Sequence, residues 1–151
     1  MAVVQVAVIG SGVEHEARAE AVGRLLAERG ATVVTGGLGE VMAAAARGAS
    51  AAGGTTIGIL PGESPDDANR WTDHVVATGI GHARNLAVVA SGHAVIAVGG
   101  SWGTLAEIGF AARLGRRVVI LEPGLDVEGV ARASSPEEAV ELALGSALSS
   151  A

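Results

Sequence analysis

Three apolar runs, at residues 3–9, 31–35 and 94–98, each stop at a glycine-rich loop: Gly10-Ser11-Gly12, Gly36-Gly37-Leu38-Gly39 and Gly99-Gly100-Ser101-Trp102-Gly103. Runs with hardly a polar residue to mark a solvent face read as strands covered on both sides. After each loop the period changes. Within residues 14–29, Ala17, Ala21, Val22, Leu25 and Leu26 recur at helical spacing, and Gly30 stands where a C-terminal cap belongs. An Ala-rich helix is expected over 40–52 and another over 105–114, the latter ended by Gly115.

The same alternation fills the rest of the chain. Strands are expected at 55–60, 74–77 and 117–121, a surface loop at 60–67, and a helix at 82–90. Ser135-Pro136-Glu137-Glu138 combines a capping box with proline at the first helical position, starting a helix that runs through Leu144. Alternating strands and helices close only as a parallel sheet, because right-handed crossovers place helices on both faces. The expected fold is α/β: a Rossmann-like three-layer domain with a mainly parallel sheet. Ligands in such sheets bind beyond the carboxyl ends of the strands, and all three glycine loops fall there.

Composition narrows this further. A chain of 151 residues matches one domain, here 1–151, burying about 70% of its unfolded surface. Aromatics are 2% of the chain, so Ala, Val, Leu and Ile must fill the core and the layers must approach closely. The net charge is −6, with six of the sixteen acids between Glu122 and Glu141. That leaves no basic face for nucleic acid. Without cysteine there are no disulfides or thiolate metal sites, and Met1-Ala2-Val3-Val4-Gln5 lacks the basic start of a signal peptide; a cytoplasmic location is expected. Residues 86–106 carry no acid, Arg or Lys and have the length of a membrane span. Gly92, Gly99, Gly100 and Gly103 interrupt them, and His93 lies inside, so they read as helix end, buried strand and loop; no membrane partner is expected.

Glycine loops at helix starts offer unpaired N–H groups and the positive end of a helix dipole, and the missing side chains let a phosphate reach the backbone. Short strand-to-helix turns also need glycine for purely conformational reasons, but three such loops at one edge favour a phosphate site. Two familiar versions fail. In Gly10-Ser11-Gly12-Val13-Glu14-His15 a histidine replaces the third small residue of the dinucleotide fingerprint, and Val34-Thr35 lacks the ribose-binding acid. A Walker loop and a pyridoxal phosphate Schiff base both require lysine; the chain has none.

All ten cationic residues are therefore arginine. Arg84, in Ala77-Thr78-Gly79-Ile80-Gly81-His82-Ala83-Arg84-Asn85, stands out because helix starts disfavour cations. It reads as a phosphate or ribose clamp. Glu107 has two readings: the acid of a Thr104-Leu105-Ala106-Glu107 capping box, or a ribose-binding or catalytic carboxylate. His15, His74, His82 and His93 lack metal-ligand spacing, and no metal site is expected. Trp102, alone in a glycine loop, reads as a lid or interface residue.

At these residues the chain resembles the Rossmann-like molybdenum cofactor carrier proteins and their relatives, the LONELY GUY cytokinin phosphoribohydrolases, often labelled lysine decarboxylases. The carrying segments are Gly36-Gly37-Leu38-Gly39 with Met42, the ATGIGHARN segment, and GGSWGTLAE, within residues 4–121. The resemblance implies phosphate binding by Gly100, Gly103 and Thr104, and a catalytic pair Arg84 and Glu107 if the chain is an enzyme. The full ligand-binding set is Gly10, Ser11, Gly36, Gly37, Arg84, Asn85, Gly99, Gly100, Ser101, Trp102, Gly103 and Thr104. Gly99 stands where the hydrolases have Pro, Ser101 where both groups usually have Gly, Asn85 where hydrolases have Lys, Val88 where they have Met, and Glu40 where a Gly is expected. Gly99 and ATGIGHARN lean towards the carriers. The first expectation is thus a homo-oligomeric binding protein for a phosphorylated small molecule, a nucleotide or the molybdenum cofactor as carried ligand. The alternative is a nucleoside 5′-monophosphate phosphoribohydrolase, and a third is a scaffold with a vacant site.

Overall fold

The computed structural model describes residues 3–149. Seven strands form one sheet, all parallel, in the order β4-β3-β2-β1-β5-β6-β7. They are β1 (Gln5–Ser11), β2 (Thr32–Thr35), β3 (Thr56–Leu60), β4 (His74–Ala77), β5 (Ala94–Gly99), β6 (Arg117–Gly124) and β7 (Ala131–Ala133). The helices are α1 (Glu16–Glu28), α2 (Val41–Ala51), α3 (Arg84–Ser91), α4 (Trp102–Arg113) and α5 (Pro136–Ser149). The α/β three-layer expectation is met. No described helix is long and apolar enough to cross a membrane.

Strand alternation divides the core into two. Val6 and Val8 of β1, Ile96 and Val98 of β5, and Val119 and Leu121 of β6 face α1, α2 and α5. Ala7 and Ile9, Val95 and Ala97, and Val118 and Ile120 face α3 and α4. Because both faces are buried, neither register leaves a polar position, which is why the runs are continuous in sequence.

On the first face α1 and α2 lie against each other through backbone. A β-carbon built on Gly23 would stand 2.0 Å from the Ala45 carbonyl oxygen, and one on Gly48 would stand 2.0 Å from that of Glu20. Only hydrogen fits at these two positions. Glycine costs roughly 1 kcal/mol of helix propensity at each, so it is tolerated for the contact. The close layering expected from an aromatic-poor core is made here.

Several boundaries differ from the sequence reading. The first helix is preceded by a 3-10 turn, Val13–His15, and α3 by another, Gly81–Ala83. Helix α4 begins three residues earlier than expected. Strand β7 was not foreseen: three residues with no apolar run, it is a strand only because Val119, Ile120 and Leu121 pair with Ala131, Arg132 and Ala133.

Candidate functional site

From β1 the chain crosses by α1 to β2 on one side, and from β5 it crosses by α4 to β6 on the other. The neighbouring strands β1 and β5 therefore diverge at their carboxyl ends, opening the crevice where ligands bind in such sheets. Gly10 pairs with Val98 and Ser11 with Gly99 at that point. A β-carbon on Gly10 would stand 1.8 Å from the Val98 carbonyl oxygen, so the strands close up only with glycine there.

The third loop is half helix. Gly99 ends β5, Gly100 takes φ 128°, Ser101 is extended, and Trp102, Gly103 and Thr104 already form the first turn of α4. The Ser101 N–H donates to Thr104 Oγ1 at 3.3 Å. First-turn N–H groups have no intrahelical acceptor, and Ser101, Gly103 and Thr104 line the crevice. The earlier start also changes Glu107. Thr104 holds the third helical position, so Glu107 lies one turn deeper than a capping acid, and its residue is 8% exposed.

A cavity of about 140 Å³ occupies the crevice. The first two loops contribute Gly10, Ser11 and Gly36, with Met42 from α2; α3 contributes Arg84 and Asn85; α4 and its cap contribute Ser101, Gly103, Thr104 and Glu107. Of the other expected residues, Gly37, Gly99 and Gly100 are not part of the lining, and Trp102 is 84% exposed. The Gly37 N–H is bound to Thr35 Oγ1 at 2.9 Å, shaping its own loop. Val8, Ile9 and Met42 complete the lining and were missed as site residues. The strand pair carries no signal in sequence, while Met42 belonged to a segment already quoted for the resemblance.

Arg84 and Glu107 supply the electrostatics. One Arg84 Nη donates to Asn85 Oδ1, and the other fills the space beside Gly36, where a β-carbon would stand 2.8 Å away. Its Nε is buried and has no hydrogen-bond partner. Desolvation lowers the guanidinium pKa, opposed by Glu107, although an arginine stays charged. Burial pushes the Glu107 carboxyl up to about 7, against the smaller opposing pull of Arg84. No ion pair or hydrogen bond joins the two among the described contacts. Each faces the cavity with bonding capacity to spare, the arginine for an anion and the carboxyl for a hydroxyl.

The loops are braced from behind by two residues that periodicity placed on the first helix. Arg18 donates to the carbonyls of Glu122 at 2.6 Å and Pro123 at 2.8 Å, and contacts His15 Nδ1. His15 packs against Gly99, where a β-carbon would stand 2.2 Å from its ring. A wider hollow of about 680 Å³ lies at the opposite, amino end of the strands. Arg116 and Arg117 there donate to the carbonyls of Ala90 in α3 at 2.9 Å and Leu142 in α5 at 3.3 Å, and the Arg116 Nε is buried without a partner.

Comparison with known proteins agrees with this architecture. A family model described as the SLOG cluster4 family matches residues 3–146. An Archaeoglobus fulgidus protein described only as uncharacterized is 42% identical over 151 residues, covering 98% of this chain and 99% of its own. The solved molybdenum cofactor binding protein of the phototrophic bacterium Rippkaea orientalis superimposes with a TM-score of 0.90 at 33% identity, covering 98% of this chain and 99% of its own. The molybdenum cofactor carrier protein of Chlamydomonas reinhardtii does so with a TM-score of 0.86 at 31% identity, covering 98% and 99%.

Proposed function

The chain belongs to the SLOG cluster4 family, and from that premise we propose that it binds a phosphorylated small molecule at the first turn of α4, with Arg84 as the clamp. One observation carries the reading: a half-buried guanidinium whose Nε has no partner in the protein and which, unlike the equally unpartnered Nε of Arg116, belongs to the cavity lined by the glycine loops and Glu107. Leaving such a donor buried and unpaired costs about 1–3 kcal/mol, and an anion in the adjoining cavity removes that cost. Helix N–H groups at Trp102 and Gly103 add the dipole contribution. The cavity volume of about 140 Å³ is below the roughly 300 Å³ of a whole-ligand pocket. It takes a phosphate with an adjoining sugar or ring, and the remainder of the ligand lies outside it.

The carrier reading extends to this chain the ligand named for the Rippkaea and Chlamydomonas proteins: the molybdenum cofactor, held as cargo by its phosphate end. Calorimetry with nucleoside monophosphates and with molybdopterin tests it. Arg84→Ala is expected to weaken binding by about 1.5–3 kcal/mol, roughly tenfold to over a hundredfold; equal affinity in the variant refutes the clamp.

A second reading rests on Glu107, a buried carboxyl that holds its proton to near neutrality beside a cation. Such a group can take or give a proton at a ribose hydroxyl or support an oxocarbenium-like transition state in hydrolysis of a nucleoside 5′-monophosphate. Incubation with a panel including isopentenyl-AMP decides it. Free base and ribose 5-phosphate above a Glu107→Gln control make the chain a phosphoribohydrolase, and binding without release makes it a carrier.

Self-association belongs to the same proposal. Helices α3 and α4, side by side on one face, leave Leu86, Leu105, Phe110 and Leu114 exposed. A helix that is apolar nearly all round is normally covered.

A further inference from the structure

Glu40 joins the first two glycine loops in a way that the phosphate reading does not require. It alone among the described non-glycine residues has a positive φ, at 54° with ψ −124°. That combination is open to glycine and avoided by residues with a β-carbon. Its carboxylate Oε1 accepts the Gly12 N–H at 2.7 Å, across 28 residues of sequence. The bond is short and charge-assisted. No arginine pairs with Glu40 among the described residues, and the neighbouring acid at Gly12, Glu14, is directed to His15. Gly10, Ser11, Gly36 and Met42, on either side of this bridge, line the cavity. A solvent-exposed negative charge without a cationic side-chain partner among the described residues therefore sits where the first and second loops meet, beside the residues that line the cavity.

In dinucleotide-binding sheets the N–H groups of the first loop receive a pyrophosphate. Here an internal carboxylate already holds one of them.

We infer that Glu40 is a specificity residue that takes the place of a second phosphate, restricting the site to ligands with a single phosphoryl group. The inference rests on the proposed anion site at α4. A monophosphate reaches Arg84 and the first turn of α4 and leaves the rim to a neutral or hydrogen-bond-donating part of the ligand. A diphosphate brings its extra charge against Glu40, and the Gly12 donor that would have offset that repulsion is occupied. The strained backbone follows, since the loop places a carboxylate at a position whose geometry suits glycine.

The test compares dissociation constants for AMP and ADP, by calorimetry, in the wild type, Glu40→Gln and Glu40→Gly. Glutamine keeps the length and the acceptor but not the charge, and glycine removes the side chain and relieves the backbone. In the wild type ADP is expected to bind roughly tenfold or more weakly than AMP. In both variants the ratio falls to within about threefold. A wild type that binds ADP as tightly as AMP, or a ratio unchanged in both variants, overturns the role of Glu40 while leaving the α4 site standing. Absence of binding of either nucleotide, and of inorganic phosphate, in all three proteins overturns the α4 site and this inference with it.

Discussion

Replacing Glu107 with glutamine converts the buried carboxyl into a neutral group of the same shape, and the structure sets the size and sign of the effect. The carboxyl is raised from an ordinary 4.5 to about 7, chiefly by burial. Between those values the native protein binds more protons at this position than the unfolded chain does. Stability therefore falls as pH rises through that window, and the full penalty applies above 7. A shift of this size corresponds to about 3 kcal/mol. Near pH 4.5 wild type and Glu107→Gln should differ only by a fixed offset from the new amide. By pH 8 the variant should have gained about 3 kcal/mol relative to the wild type. Urea unfolding of both proteins at the two pH values, without ligand, measures this. Every other titrating group is common to both and cancels in the difference. A difference that stays constant across the range means the carboxyl is solvated and ordinary, and the proton-transfer role offered for it loses its basis.

Gly103→Asp should abolish phosphate-ligand binding while the melting temperature holds or rises, as followed by calorimetry and circular dichroism. A β-carbon at Gly103 meets nothing within 4 Å, and an acid in the first turn favours the helix by about 0.3–1 kcal/mol, yet its charge lies in the anion site. Gly100 is unsuitable for this experiment, because φ 128° and a β-carbon position 2.7 Å from the Thr104 side chain strain the loop itself. Gly23→Ala should lower stability by about 1–3 kcal/mol despite the better helix former, since α1 must move off the Ala45 carbonyl; a stabilised variant in urea unfolding contradicts the close contact. For self-association, Trp71→Phe leaves Trp102 as the only indole, which should emit like a solvated tryptophan when dilute and shift to shorter wavelength as concentration rises. Invariant emission together with a monomer mass in light scattering at micromolar concentration rejects an α3–α4 contact.

The order of strands and helices was legible because each element satisfies its own periodicity. Continuous apolar runs followed by amphipathic segments admit one architecture once crossover handedness is imposed. The glycine loops were legible as loops, and the absence of lysine excluded two phosphate chemistries before any coordinates. What sequence left open depended on neighbours distant in the chain. Three residues at Ala131–Ala133 become a strand only through the exposed edge of β6. Glu107 read either as a helix-capping acid or as a ribose-binding or catalytic carboxylate, and the start of α4 at Trp102 removes the capping position by placing it a turn further in. Gly23 and Gly48, glycines inside two helices, are the contact between them. Glu40 stood out only as an acid where a Gly is expected, and its carboxylate reaches across to Gly12. Local conformation follows from backbone sterics and side-chain period, which act over a few residues. The desolvation of a carboxyl, the orphaning of a guanidinium nitrogen and the capture of a loop N–H arise only when separate elements pack, so tertiary structure alone decided them.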